Sequence, residues 1–196
     1  MDALTGKAKV RQVAGKLAAA GSREDKGNFG EARAKEWFER KNLDYFHWPQ
    51  TKASMPLDLS HRGGKRPDFA VLFGDELVYF DAKYQDTANV TEFGLDDLEI
   101  SKFLVFREWI RDTHQDGGAR DVVLMVYPIE LNGNRFVLIH LDEIRQGREG
   151  IVRGKPGRLV SLSDREDMWL DQVPANPPKL TGCVAAPTDR GTGAFE

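Results

Sequence analysis

The chain has 196 residues, 40% of them hydrophobic and 30% charged, which suits one α/β-sized domain with a tail rather than two full domains. Its longest unbroken apolar stretch, Val122 to Tyr127, is only strand-length, against the roughly 20 residues a membrane helix needs, so a soluble, cytoplasmic protein with no membrane partner is expected. The formal charge of −3 divides into +6 over residues 1–66, −9 over 67–130 and 0 over 131–196, a pattern that fits a protein holding a polyanion with one part and a cation with another, and equally an ordinary uneven surface.

Residues 1–23 are Ala- and Lys-rich, carry Lys7, Lys9, Arg11 and Lys16, and read as a separable basic helical arm or linker. Lys16 interrupts the apolar stretch from Val13 to Ala20, so no signal peptide is expected. A first core helix is predicted from about Asn28 to Lys41, with Asn28 as N-cap and Glu31 at the third helical position. Ala34, Trp37 and Phe38 share one arc of that helix, and Glu31 falls at its edge, on the border of the core.

A short aromatic strand, Asp44 to Trp48, leads into a long loop carrying Lys52, Arg62, Lys65 and Arg66. Runs at Asp68 to Phe73 and Glu76 to Lys83 are predicted to pair as a hairpin around Gly74-Asp75. A helix over 95–112 has apolar groups round more than half its circumference and should pack on more than one side. Strands follow at 121–127 and 135–141, with another at 157–162, and the element order is α-β-β-β-α-β-β. The domain spans 24–170, and 171–196 is a Pro/Gly-rich tail.

Chemistry concentrates on the second hairpin strand, where Tyr79, Asp81, Lys83 and Gln85 alternate to one side. An Asp and a Lys inside an apolar run are costly to bury without partners, unless that face is open to solvent and carries a cross-strand ion pair. An acid two residues before a lysine is expected about twice by chance in this composition. It occurs three times, but only Asp81/Lys83 lies in a strand. The hairpin can bring Asp68, in the chain's only Pro-Asp, close to Asp81. Two neighbouring carboxylates read either as a divalent-metal site or as a dyad with one raised pKa. One cysteine and four scattered histidines exclude a thiolate or His-rich zinc site, which leaves oxygen ligands and favours Mg²⁺ or Mn²⁺.

Pro67-Asp68 followed by Asp81-Ala82-Lys83 resembles the signature of the PD-(D/E)xK nuclease superfamily. Gly27-x-x-Gly30-Glu31, with Ala32, Trp37 and Phe38, is similar to the first helix of its Holliday-junction-resolvase-like and Mrr-like branches. The resemblance covers about residues 27–128 and implies an α/β, restriction-endonuclease-like αβββαβ core with a mixed central sheet flanked by helices. It also implies that Asp68, Asp81 and the Ala82 carbonyl ligate Mg²⁺ or Mn²⁺, with Glu31 a direct or water-mediated ligand. Lys83 would orient or deprotonate the attacking water, and Gln85 would touch the phosphate or the nucleophile. Asp81 departs from the commoner Glu of the motif.

The implied activity is metal-dependent hydrolysis of DNA phosphodiester bonds. The basic arm and Lys52, Arg62, Lys65 and Arg66 are the candidate phosphate contacts. Trp48 and Tyr84 are the aromatics least accounted for by a core. Two other readings stand beside this one: a ribonuclease or tRNA-cleaving toxin domain of the same fold, which would have a cognate inhibitor protein, and a non-catalytic nucleic-acid-binding protein. Many relatives work as homodimers, though nothing in the sequence marks an interface.

Overall fold

A computed structural model describes residues 23–48, 54–74, 76–113, 121–165 and 168–172. The arm through residue 22, Lys52 and the tail from residue 173 lie outside the described residues.

The hairpin forms as its composition demands. Aromatic and β-branched residues favour the pleated conformation in β2 (Phe69–Phe73) and β3 (Glu76–Gln85), which pair antiparallel with Phe69 opposite Phe80 and Phe73 opposite Glu76. At the turn Gly74 takes φ +61°, a backbone state that glycine reaches without strain. β1 (Asp44–His47) adds antiparallel to β2. β5 (Val122–Pro128) lies parallel to β3, and the helix between them supplies the crossover that parallel strands need. Every residue of β5 is buried, as expected for a central strand covered on both faces. β6 (Arg135–His140) and β9 (Trp169–Asp171) complete a six-stranded mixed sheet in the order β1-β2-β3-β5-β6-β9.

Helix α1 (Arg23–Arg40) packs Ala34, Trp37 and Phe38 on one sheet face, against Phe69, Phe80, Ala82 and Met125. Helix α3 (Asp97–Thr113) packs Ile100, Phe103, Phe106 and Ile110 on the other, against Tyr79, Leu124 and Val126. With the six-stranded sheet and its two flanking helices taken in chain order, α1-β1-β2-β3-α3-β5 is the mixed α/β, αβββαβ arrangement expected from the sequence. No helix among the described residues is long and apolar enough to cross a membrane.

Four local expectations are corrected. Helix α1 starts at Arg23, so Asn28 is an exposed interior residue rather than the N-cap. Glu24 and Asp25 in the first turn complement the helix dipole, and Gly27 costs only about 1 kcal/mol relative to Ala. The long basic loop contains a short helix, α2 (Leu57–His61), anchored by the fully buried Leu59 and too short to show helical periodicity. The segment at the start of the predicted 95–112 helix is instead β4 (Glu92–Asp96), and α3 begins after it. Finally, the short helix α4 (Leu141–Arg145) and β7 (Arg148–Val152) precede β8 (Lys155–Ser161).

These extra strands form a second sheet, β4-β8-β7, whose Phe93, Leu95 and Val160 join the core under α3. Gly157 permits this sheet's close packing. A Cβ there would sit 2.5 Å from the Leu95 carbonyl oxygen and 2.9 Å from the Asp96 Cα, neither of which can rotate away. Gly157→Ala is therefore expected to destabilise the fold by about 2 kcal/mol, the usual scale of core overpacking, visible as a lower melting temperature.

Candidate active site

The strand alternation read from the sequence holds. Phe80, Ala82 and Tyr84 face α1, while Tyr79, on the opposite face, packs under α3, and Asp81 shares that face. Pairing between β2 and β3 ends at Phe69–Phe80, which leaves the Ala82 edge of β3 beside Asp68. Asp68 Oδ2 accepts the Ala82 N–H at 2.8 Å, so the carboxylate takes the place of the missing strand partner. The Ala82 carbonyl points to the same edge, because N–H and C=O of one extended residue face the same neighbour.

Asp81 is fully buried, and its charge is met by two ammonium groups. Lys65 Nζ donates to Asp81 Oδ1 at 2.9 Å, and Lys83 Nζ contacts Asp81 Oδ2. Both lysines also reach Glu99 Oε1, at 3.1 Å from Lys65 and 2.7 Å from Lys83. Below them lies the Phe103 ring, 4.9 Å from Lys65 Nζ and 5.6 Å from Lys83 Nζ, an arrangement that favours cations. Lys65 is fixed there by its backbone N–H, which donates to the Lys102 carbonyl of α3.

The electrostatics follow from this alternation of sign. Burial works against the Lys65 ammonium, but the charges of Asp81, Glu99 and Asp68 outweigh it and hold its pKa above the ordinary lysine value. Burial also opposes ionisation of Glu99, yet the two lysines pull its carboxyl down to about 2. Asp68 differs: burial first, and then the charge of Asp81, push its carboxyl well above the aspartate range. Three carboxyl groups face only two ammonium groups, and Asp68 is the one whose ionisation is opposed.

Glu99 was not singled out in the sequence. Asp96-x-x-Glu99 reads as a helix cap, and Asp96 Oδ1 does accept the Glu99 N–H at 2.9 Å. The Glu99 side chain, however, is turned to the lysines. Its depressed carboxyl gives a signed prediction. A group whose folded pKa lies near 2, against an ordinary 4.5, stabilises the fold fully above pH 4.5 and loses that contribution as pH falls towards 2. The contribution is on the order of 3 kcal/mol. Glu99→Gln should thus lower stability at pH 7, and the deficit should shrink between pH 4.5 and 2 in denaturant titrations.

These groups line or underlie a cleft of about 790 Å³ whose walls include Glu31, Lys65, Asp68, Ala82, Lys83 and Gln85. Glu31 reaches this cleft from α1, but its Oε2 is 2.8 Å from His47 Nε2. It is not drawn to the aspartates. Among the described residues no three Asp, Glu, His or Cys side chains converge closely enough to cage a metal alone. Gln85 is buried, donates to the Gly94 carbonyl at 3.0 Å and accepts from Arg153.

Of the basic loop residues Arg62, Lys65 and Arg66, which are described, only Lys65 lines the cleft. Arg62 pairs with Asp58 and Asp112, at 3.2 and 2.8 Å. Arg66 is buried, donates to the Ser54 carbonyl at 2.8 Å and lies 5.0 Å over the Trp48 ring. Trp48, whose other ring neighbours are Phe46 and Tyr79 with centroids 5.5 and 5.9 Å away, is thereby occupied within the protein. Tyr84 is buried against Phe29, 4.4 Å between rings, at the cleft wall.

No protein-family model matches the sequence, and no curated protein sequence matches it. Among solved structures, the chain is similar to Hjc, a Holliday junction resolvase of Archaeoglobus fulgidus, with a TM-score of 0.42 and 10% identity over 69% of this chain and 88% of that one.

Proposed function

We propose that the chain is a divalent-metal-dependent nuclease of the PD-(D/E)xK type that hydrolyses phosphodiester bonds of DNA. The observation that carries this reading is the meeting of Asp68, Asp81 and Lys83 at the end of one hairpin, where Asp68 bonds the Ala82 N–H and Asp81 contacts the Lys83 ammonium beside an open cleft.

The donor set fits a hard divalent cation. It consists of two carboxylates and a backbone carbonyl, with no thiol or imidazole among the described residues of the cleft wall. Asp68, Asp81 and the Ala82 carbonyl would hold the ion, water completing its shell, as Mg²⁺ prefers. Because Glu31 is tied to His47, it would take part through water rather than directly. When bound, the cation polarises the attacking water and the scissile phosphate.

The rest belongs to the chain's own groups. Lys83, clamped by Glu99 at 2.7 Å, presents its ammonium to the attacking water and to the phosphate oxygen on which charge develops. Water oxygen bonds to phosphorus, one ester bond breaks, and the products are a phosphomonoester and a hydroxyl. Lys65 neutralises Asp81, whose carboxylate a cation would have to share with it.

The test is incubation of the protein with supercoiled plasmid, single-stranded DNA and total RNA, each with Mg²⁺, Mn²⁺ or EDTA. DNA cleavage stopped by EDTA and absent in Lys83→Ala supports the reading. Cleavage confined to RNA moves the substrate class, and no cleavage of any substrate by a folded protein overturns the enzyme.

A further inference from the structure

The second sheet brings a hairpin turn to the mouth of the cleft. β7 and β8 pair antiparallel with Val152 opposite Lys155, so Arg153-Gly154 is a two-residue loop. Both residues have positive φ, +51° and +78°, the combination for which Asn-Gly is favoured. An arginine is seldom found in that conformation. Here it has a reason, because its side chain is directed back to the strand that carries the chemistry. Arg153 Nη2 donates to Gln85 Oε1, two residues beyond Lys83, and Gln85 is itself anchored to the Gly94 carbonyl at 3.0 Å. A buried, fixed amide therefore aims the guanidinium.

Arg153 and Lys155 line the same cleft as Asp68 and Lys83. Neither forms an ion pair with a carboxylate among the described residues, whereas Lys65 and Lys83 are already engaged by Asp81 and Glu99. With Lys65 and Lys83 neutralised by Asp81 and Glu99, the cations of the cleft lining that lack such partners are where phosphate attraction is available. A guanidinium suits this role, since its planar fork matches two phosphate oxygens.

Resting on the nuclease reading above, we propose that the β7–β8 turn is a phosphate clamp, in which Arg153 and Lys155 grip the sugar-phosphate backbone of the DNA entering the cleft. The contact reads no sequence.

The experiment measures binding of a fluorescently labelled DNA duplex by anisotropy, in EDTA and across a salt series, for the full chain and for Arg153→Asn, Lys155→Gln and the double variant. Asparagine suits the turn better than arginine, which offsets the hydrogen bond lost at Gln85 Oε1, so Arg153→Asn should still fold, as its melting curve will show. It should bind duplex about tenfold more weakly at low salt, and the slope of log K against log salt should fall by about 1 per removed phosphate contact, hence by about 2 in the double variant. If wild type cleaves DNA but the variants keep its affinity and slope, the clamp is wrong and the nuclease stands. If wild type neither binds nor cleaves DNA, the nuclease reading falls and the clamp with it. A loss of affinity for RNA but not for DNA overturns the clamp as a DNA contact.

Discussion

Replacing Lys83 with Met is expected to lower plasmid cleavage by about 10³-fold, within the range that one positioned proton-transfer or charge-stabilising group supplies. The fold should survive. Lys65 still faces both Asp81 and Glu99, so neither carboxylate is left without a cation. Manganese affinity should not fall, because the Lys83 ammonium competes for Asp81 Oδ2 rather than helping to bind a cation. Calorimetric titration with Mn²⁺ beside a cleavage assay separates these effects. A cleavage loss of less than tenfold would remove Lys83 from the chemistry, and parallel losses of binding and cleavage would make it part of the ion site instead.

Asp81→Asn should fail in both respects. The site loses a carboxylate proposed to hold the ion, and the two lysines lose one of the two anions they contact, keeping Glu99. Breaking a buried charge cluster on one side is costly, here about 3 kcal/mol. For a chain of this size that lowers the melting temperature by roughly 6 to 12 °C. Adding Lys65→Met removes an ammonium that has lost its Asp81 partner and should restore part of the stability while leaving cleavage absent, since residues that share one cluster do not act additively. A double variant no more stable than Asp81→Asn would show that Lys65 is not held by Asp81.

The sequence made the floor of the site legible because that floor lies on regular structure. Period-two alternation placed Asp81, Lys83 and Gln85 on one face of β3, and helical periodicity placed Glu31 at the border of the core, where it reaches the cleft. What periodicity could not show was everything that arrives from irregular segments. Lys65 looked like one more loop cation for phosphate, and only the bond from its backbone to Lys102 turns it inward to Asp81. Glu99 carried the signature of a helix cap.

The second sheet escaped for a different reason. β4 contains Gly94 and β7 contains Gly150, residues that lower strand propensity, and both are there because Leu159 packs against them. With β7 and β8 unrecognised as a pair, Arg153 had no turn to occupy and no visible relation to Gln85.

The most direct measurement is of manganese bound and plasmid nicked in the same samples of wild type and Asp68→Asn, with Asp68 chosen because it lines the cleft and neither lysine holds it by an ion pair among the described residues. Wild type should bind Mn²⁺ and nick plasmid only when the ion is present, and Asp68→Asn should lose both together while remaining folded. Nicking that persists in EDTA, or Asp68→Asn that binds and nicks like wild type, would contradict the account.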